Sequence, residues 1–208
     1  MVRKLLVALL LTVALVGCGT SSNDGAAVTG ITTSNDDGYH GVLLDEPYAV
    51  PHLALTDTVG KPFVLAAQRK RTLVFFGYTK CPDICQVVMS TIASAVARLS
   101  DADKAELQVL FVTTDPARDT RSVLRTYLDH FNPDFIGVTG SLDRIEALGK
   151  PMGVDIKKGQ RLPSGGYEVD HTANVISVAG GQGDLLWTAG TSQSDMAADI
   201  EKILKADA

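Results

Sequence analysis

Only three cysteines occur in 208 residues, at positions 18, 81 and 85, and the first lies in what reads as an export signal. The thiol chemistry of the remainder is therefore confined to one place. That narrows its use to disulfide redox work, soft-metal binding or both. Basic residues are short as well: 19 Lys and Arg stand against 24 Asp and Glu, a formal charge of −5. The basic face that a nucleic-acid partner demands is missing. No internal repeat is present, and no proline follows Pro163. The long apolar run, Leu5 to Val16, is too short to span a bilayer comfortably.

That run follows Arg3 and Lys4 and precedes Gly17-Cys18, the layout of a secretory signal. Leu15-Val16-Gly17-Cys18 resembles a bacterial lipobox, which implies cleavage before Cys18 and acylation of the new N-terminal cysteine. An uncleaved anchor, or an ordinary signal with a chance cysteine, is the alternative. Each buried methylene contributes about 0.8 kcal/mol, so a multiply acylated Cys18 would hold the protein stably at a membrane. Removing residues 1–17 leaves 191 of the 208 and takes the charge from −5 to −7, because Arg3 and Lys4 go and no acidic residue does. That length suffices for one domain with a substantial core. Residues 18–41 are rich in Gly, Ser, Thr, Asn and Asp and read as a flexible tether from Cys18. Residues 42–208 read as the domain. Its expected location is extracytoplasmic and lipid-anchored to a bacterial membrane, where disulfides form and persist.

Within the domain, Leu53–Thr56 and Phe63–Ala66 flank Asp57-Thr58-Val59-Gly60-Lys61-Pro62 as a hairpin. Arg71–Phe76 reads as a buried central strand. Val88, Ile92, Ala95/Val96 and Leu99 recur at helical spacing after Cys85. Gln108–Thr113 reads as a second buried strand. Ser122–Phe131 follows as a helix with Val123, Tyr127 and Phe131 on its apolar face. Phe135–Thr139 is a short strand, and Ser141 caps a helix over Leu142–Leu148. Gly165-Gly166 is a turn. Ala173–Val178 and Leu185–Thr188 pair across a glycine-rich turn, Ala179–Asp184. Ser194 caps a final helix ending near Lys205. The order is a hairpin, then β-α-β-α-β, then β-β-α, with the thiol pair between the first core strand and its helix. This α/β order is the thioredoxin-like plan with an extra N-terminal β-hairpin and a mid-chain insertion.

Phe76-Gly77-Tyr78-Thr79-Lys80-Cys81-Pro82-Asp83-Ile84-Cys85 runs from strand to loop to helix. If the helix starts near Cys81, both sulfurs share one face, and their Cα atoms lie roughly 6 Å apart. That is inside the disulfide range of about 4.4–6.8 Å. A bond closing so small a loop removes little unfolded-state entropy, which favours reactivity over support. A helix N-terminus, and Lys80 if it leans inward, favour thiolate. Thiolates select Cu(I) over hard cations, but two of them leave a metal wanting a third ligand.

Four histidines are available. His40 falls in the tether, His52 near the N-terminal hairpin and His130 late in a helix. His171 stands in Val169-Asp170-His171-Thr172-Ala173, where the loop of a thioredoxin-like fold faces the thiols. It is a third ligand or a satisfied structural histidine. Asp115 leaves the next core strand at the same edge and either orients His171 or Lys80, tunes the thiols, or forms an Asx-type turn. Asp83 reads as a cap, and Met89 and Met152 as core rather than soft ligands.

Gly77 to Cys85, Asp115-Pro116-x-Arg118-Asp119-Thr120, the Thr139-Gly140 step and Asp170-His171-Thr172 occur in the order of the Sco/SenC family. From about Pro51 onward the chain resembles a bacterial lipoprotein member. The resemblance implies one copper held by Cys81, Cys85 and His171, with Asp115 as a group behind the ligands. It also implies a role in assembling the dinuclear copper site of cytochrome c oxidase, the partner being the oxidase's copper-bearing subunit or another cuproprotein. Gln86 departs from the family, many members having proline there, and the turn 179–184 reads as longer than usual.

A metallochaperone with no covalent catalysis is the leading expectation. The rival is an enzyme, a thiol–disulfide reductase in which Cys81 attacks and Cys85 resolves. A peroxide-reducing or redox-sensing pair is a third reading, in which His171 has no evident role.

Overall fold

The computed structural model describes residues 38–82, 84–161, 167–171 and 173–207; for 158–161 and 167–171 it is the backbone that is described. Cys18, the signal and most of the expected tether, Asp83 and the Gly165-Gly166 turn lie outside the described residues.

Among the described residues ten strands form two sheets, β1 (Val42–Ala49), β2 (Ala54–Asp57), β3 (Pro62–Val64), β9 (Val175–Ala179) and β10 (Gln182–Trp187) flanking the central strands of the larger one. The main one has the order β1-β10-β9-β4-β5-β6-β2-β3. At its centre β4 (Arg71–Gly77) runs parallel to β5 (Leu107–Thr113), and β5 runs parallel to β6 (Ile136–Thr139). All seven residues of β4 are buried, as a strand covered on both faces requires. Burying each large apolar side chain contributes about 1.5–3 kcal/mol, so Leu73 to Phe76, all 0 % exposed, anchor the core.

α1 (Ile84–Arg98) connects β4 to β5, followed by α2 (Asp101–Glu106), and α3 (Arg121–Asp129) connects β5 to β6. α1 and α3 lie on the same face of the sheet. The Cys85 sulfur comes against Gly77 on that face, and the Tyr127 ring comes against Phe111. α5 (Gln193–Asp207) packs on α1. α4 (Leu142–Gly149) covers the opposite face, where Gly149 approaches Phe76.

The expected hairpin is β2 (Ala54–Asp57) with β3 (Pro62–Val64), docked antiparallel on β6. Its turn is closed by Asp57, whose carboxylate accepts from Val59 N at 3.0 Å and Lys61 N at 2.7 Å. Gly60 supplies the left-handed φ of 90° that the turn needs. β3 stops at Val64 and a short 3₁₀ turn over Leu65–Ala67 replaces its expected end.

The mid-chain insertion is a separate hairpin of β7 (Ile156–Arg161) and β8 (Tyr167–His171). It returns the chain to β9 (Val175–Ala179), antiparallel to β4. β10 (Gln182–Trp187) then closes on β9 through Gly180-Gly181, at φ 56° and 78°. Successive positive φ values are those of a type I′ turn. The glycine-rich turn is therefore shorter than expected, because Gln182–Asp184 already belong to the strand.

Further corrections concern caps and faces. Val42–Ala49 forms β1 on the edge of the sheet, paired with β10. The apolar face of α3 is Leu124 and Leu128, both 0 % exposed, whereas Val123 is 37 % exposed. Ser192 rather than Ser194 caps α5, its hydroxyl accepting from Asp195 N at 3.2 Å. Ser141 stands at the start of α4 without a side-chain cap. The last residues of the expected tether are held by α5: Asp199 accepts from His40 N at 3.0 Å, Gly41 N at 2.8 Å and Trp187 Nε1 at 2.8 Å.

Candidate functional site

β4 ends at Gly77, and the chain must turn away before α1. The turn is fixed by Cys81 N donating to Tyr78 O at 3.2 Å, while Thr114 N donates to Gly77 O at 2.7 Å across the end of β5. Gly77 is required by close approach. A Cβ there would lie 2.8 Å from Phe75 Cε1, 3.1 Å from Phe111 Cε2 and 3.2 Å from the Cys85 sulfur.

Neither cysteine is in a disulfide, and both are buried, Cys81 at 6 % and Cys85 at 0 % exposure. The helix begins at Ile84, so Cys81 lies in the turn before it rather than in its first residues. The two side chains still meet at the helix mouth through a hydrogen bond between them, and Cys85 N also donates to Cys81 Sγ at 3.4 Å. An N–H of the first helical turn thus faces the outer sulfur, an arrangement that favours negative charge there. The inner thiol is held neutral: its side-chain hydrogen bond with Cys81 and then burial push the Cys85 pKa far up.

Asp119 is the residue that sequence reasoning left without a role. It is 0 % exposed and accepts from Thr79 N at 3.0 Å, Thr79 Oγ1 at 2.6 Å and Thr113 Oγ1 at 2.7 Å. It thereby ties the thiol loop to the end of β5. Burial outweighs these three donors and leaves its pKa raised.

Asp115 is also buried, at 3 % exposure. Its carboxylate accepts from Arg118 Nε, and its own N–H donates to Thr113 Oγ1 at 3.0 Å. The Arg118 guanidinium in turn lies 5.6 Å from the centre of the Tyr78 ring. Asp115 therefore borders the thiol loop through Arg118 and Tyr78, beside the carboxylate that holds Thr79.

Lys80 is exposed. Met89 and Met152 are core, at 0 % and 1 %. His52 is exposed, and His130 ends α3 with Nδ1 2.6 Å from Thr126 O. His40 Nδ1 lies 2.9 Å from Asp199. His171 closes the β7–β8 hairpin opposite Ile156, four residues before β9, and its side chain lies outside the described residues. Among the described residues no group of three His, Cys, Asp or Glu is arranged to hold a metal. The donor chemistry fits half a site: two sulfurs suit a soft monovalent cation. Beside α1 opens a cavity of about 610 Å³, lined by Gln86, Val123, Tyr127, His130 and Phe131 among others.

The family model described as SCO1/SenC matches residues 45–205. A "putative copper-binding protein" of Stutzerimonas stutzeri is 35% identical over 138 residues, 66% of this chain and 67% of that protein. Against yeast mitochondrial SCO2 the match spans 44% of the relative's length, so this chain spans under half of such proteins. Among solved structures, apo Sco1 of Thermus thermophilus is 32% identical with a TM-score of 0.72, covering 82% of this chain and 99% of that one. Yeast Sco1 with copper bound is 28% identical with a TM-score of 0.70, covering 77% and 90%. The fold is thioredoxin-like, as the order of elements implied. The chain belongs to the SCO1/SenC family.

Proposed function

We propose that this protein is a copper chaperone, lipid-anchored through Cys18 outside the cytoplasm, that carries one Cu(I) between the thiolates of Cys81 and Cys85 and the imidazole of His171. The observation that carries the reading is the thiol pair itself. Two reduced, buried sulfurs meet at a helix mouth with Cys85 N on Cys81 Sγ, in a chain whose relatives include Sco1 with copper bound. Copper here is cargo. A three-coordinate site of two thiolates and one imidazole leaves room for an incoming thiolate, so transfer proceeds by ligand exchange. Oxidation of the pair to a disulfide withdraws both anionic ligands together, which couples release to redox state. The Sco family is described as one of cytochrome c oxidase assembly proteins, which supports the oxidase's copper-bearing subunit as the target.

Thiol–disulfide reduction of a cuproprotein is the second reading. It draws on the difference in exposure: Cys81 is the outer sulfur and faces an amide donor, while Cys85 is enclosed and placed to resolve. His171→Ala separates the two. The chaperone reading expects copper delivery to fail while dithiol exchange with a test disulfide persists. Delivery indifferent to His171 but lost with either cysteine would leave the reductase.

A further inference from the structure

One buried polar atom beside the thiols is unused by anything above. The Tyr127 hydroxyl is shut away from solvent and has no hydrogen-bond partner among the described residues. Native interiors rarely leave a hydroxyl in this state, and each instance calls for a cause, such as strain, a redox or catalytic role, a water or an ion.

Its position is informative. α3 starts just after the Asp115–Thr120 loop, at the same edge of the sheet as the thiols. Side chains on a helix lean toward its N-terminus, so the phenol reaches back toward that edge. The Tyr127 ring lies 5.4 Å from the Phe111 ring, centre to centre. Phe111 and the Cys85 sulfur both crowd Gly77, at 3.1 and 3.2 Å from where its Cβ would be. Tyr127 and the inner thiol thus both border Phe111. Burial first, then the nearby Cys85, Cys81 and Asp119, push its pKa up, so its oxygen keeps a proton to give.

We propose that the Tyr127 hydroxyl is a donor held in reserve for the loaded site, hydrogen-bonding the Cys85 sulfur once copper has made that sulfur an anionic ligand. A neutral thiol is a weak acceptor, whereas a thiolate is a strong one. The unmatched hydroxyl of the metal-free protein is thereby matched on loading. Tyr127 is a positioning residue acting through Cys85, and the inference rests on the copper reading above.

Tyr127→Phe removes the oxygen and keeps the ring. In the reduced, metal-free protein the variant should melt at the same temperature as wild type or higher, since it loses an unmatched group. Its Cu(I) affinity, measured by competition with a chelator, should fall about tenfold, the size of one hydrogen bond to a charged acceptor. The sulfur-to-copper charge-transfer band of the Cu(II)-loaded protein should move to lower energy, because the lost bond no longer stabilises the sulfur electrons. Wild-type affinity with an unmoved band would overturn the inference. So would a lowered melting temperature of the metal-free variant, which would mean the hydroxyl is already bonded. If wild type itself takes no Cu(I), the copper reading fails and this inference with it; if only the variant matches wild type, the inference alone fails.

Discussion

The two ends of β4 are built on opposite rules. At its start Arg71, 4 % exposed, has its charge matched from several sides. Its guanidinium donates to Asp207 at 2.7 and 2.9 Å, to Asp184 at 2.8 and 2.9 Å and to Ser177 Oγ at 2.6 Å. At its end, six residues on, the two thiols and a buried carboxylate with a raised pKa meet near Gly77, and a tyrosine hydroxyl with no partner among the described residues stands beyond Phe111. The first end pins β10 and the C-terminal turn of α5 to the central strand. The second gathers titratable groups in apolar surroundings, where burial shifts their proton affinities. One strand therefore separates the work of stability from the work of chemistry.

Substitutions at either end can break this division. Arg71→Ala should have the largest effect on folding, about 3 kcal/mol, the low end for a broken buried ion pair, because Asp184 and Asp207 are 27 % and 43 % exposed and regain water. Denaturant unfolding measures it, and Cu(I) affinity of the folded variant should match wild type. A copper defect as large as the stability defect would erase the distinction. Gly77→Ala should cost about 1–3 kcal/mol through overpacking and, unlike Arg71→Ala, should also shift the Cys81–Cys85 midpoint potential, since the new methyl meets the Cys85 sulfur.

Asp119→Asn should cost about 1 kcal/mol and change the pH profile. A carboxyl pKa raised above its ordinary 3.8 in the fold means that the native state binds a proton more readily than the unfolded one. Stability then falls as pH rises from 3.8 through the folded value. Melting temperature against pH should show that fall in wild type and less of it in Asp119→Asn.

His40→Gln should have the smallest effect, since the His40 side chain is 51 % exposed. Hydrogen bonding to Asp199 raises its pKa above 6.5, so its contribution is complete below pH 6.5 and lost as pH rises through the folded value. Neither end of β4 should notice: copper affinity and thiol potential stay unchanged.

The buried strands and the long helices were legible because their signals are local and strong: seven consecutive buried residues in β4, and apolar residues at helical spacing in α1. β1 was not, because Val42–Ala49 carries Asp45, Glu46 and Pro47 and its pairing slips between Leu43 and Tyr48. α2, Asp101–Glu106, has no buried residue and so no apolar stripe to read; only the Ser100 cap marks its start. On α3 the stripes at 123/127/131 and 124/128 are nearly equal in hydrophobicity. Tertiary packing selected the second for the core and left the first to line a cavity.

The same holds at the site. The thiol pair was evident from two cysteines four apart. Asp115 and Asp119 are equivalent as letters, and the turn between them, with Asp119 N on Asp115 O at 2.9 Å, decides which one reaches Thr79. Signals that depend on who donates to whom are invisible before folding.

The central claim is the proposed copper site, and a competition titration tests it most directly. Reduced protein is titrated with Cu(I) against a chelator, beside His171→Ala and Cys85→Ser. The account predicts one copper per chain in wild type, with affinity much weakened by either substitution. Weak binding indifferent to His171 would contradict it and leave a dithiol oxidoreductase in its place.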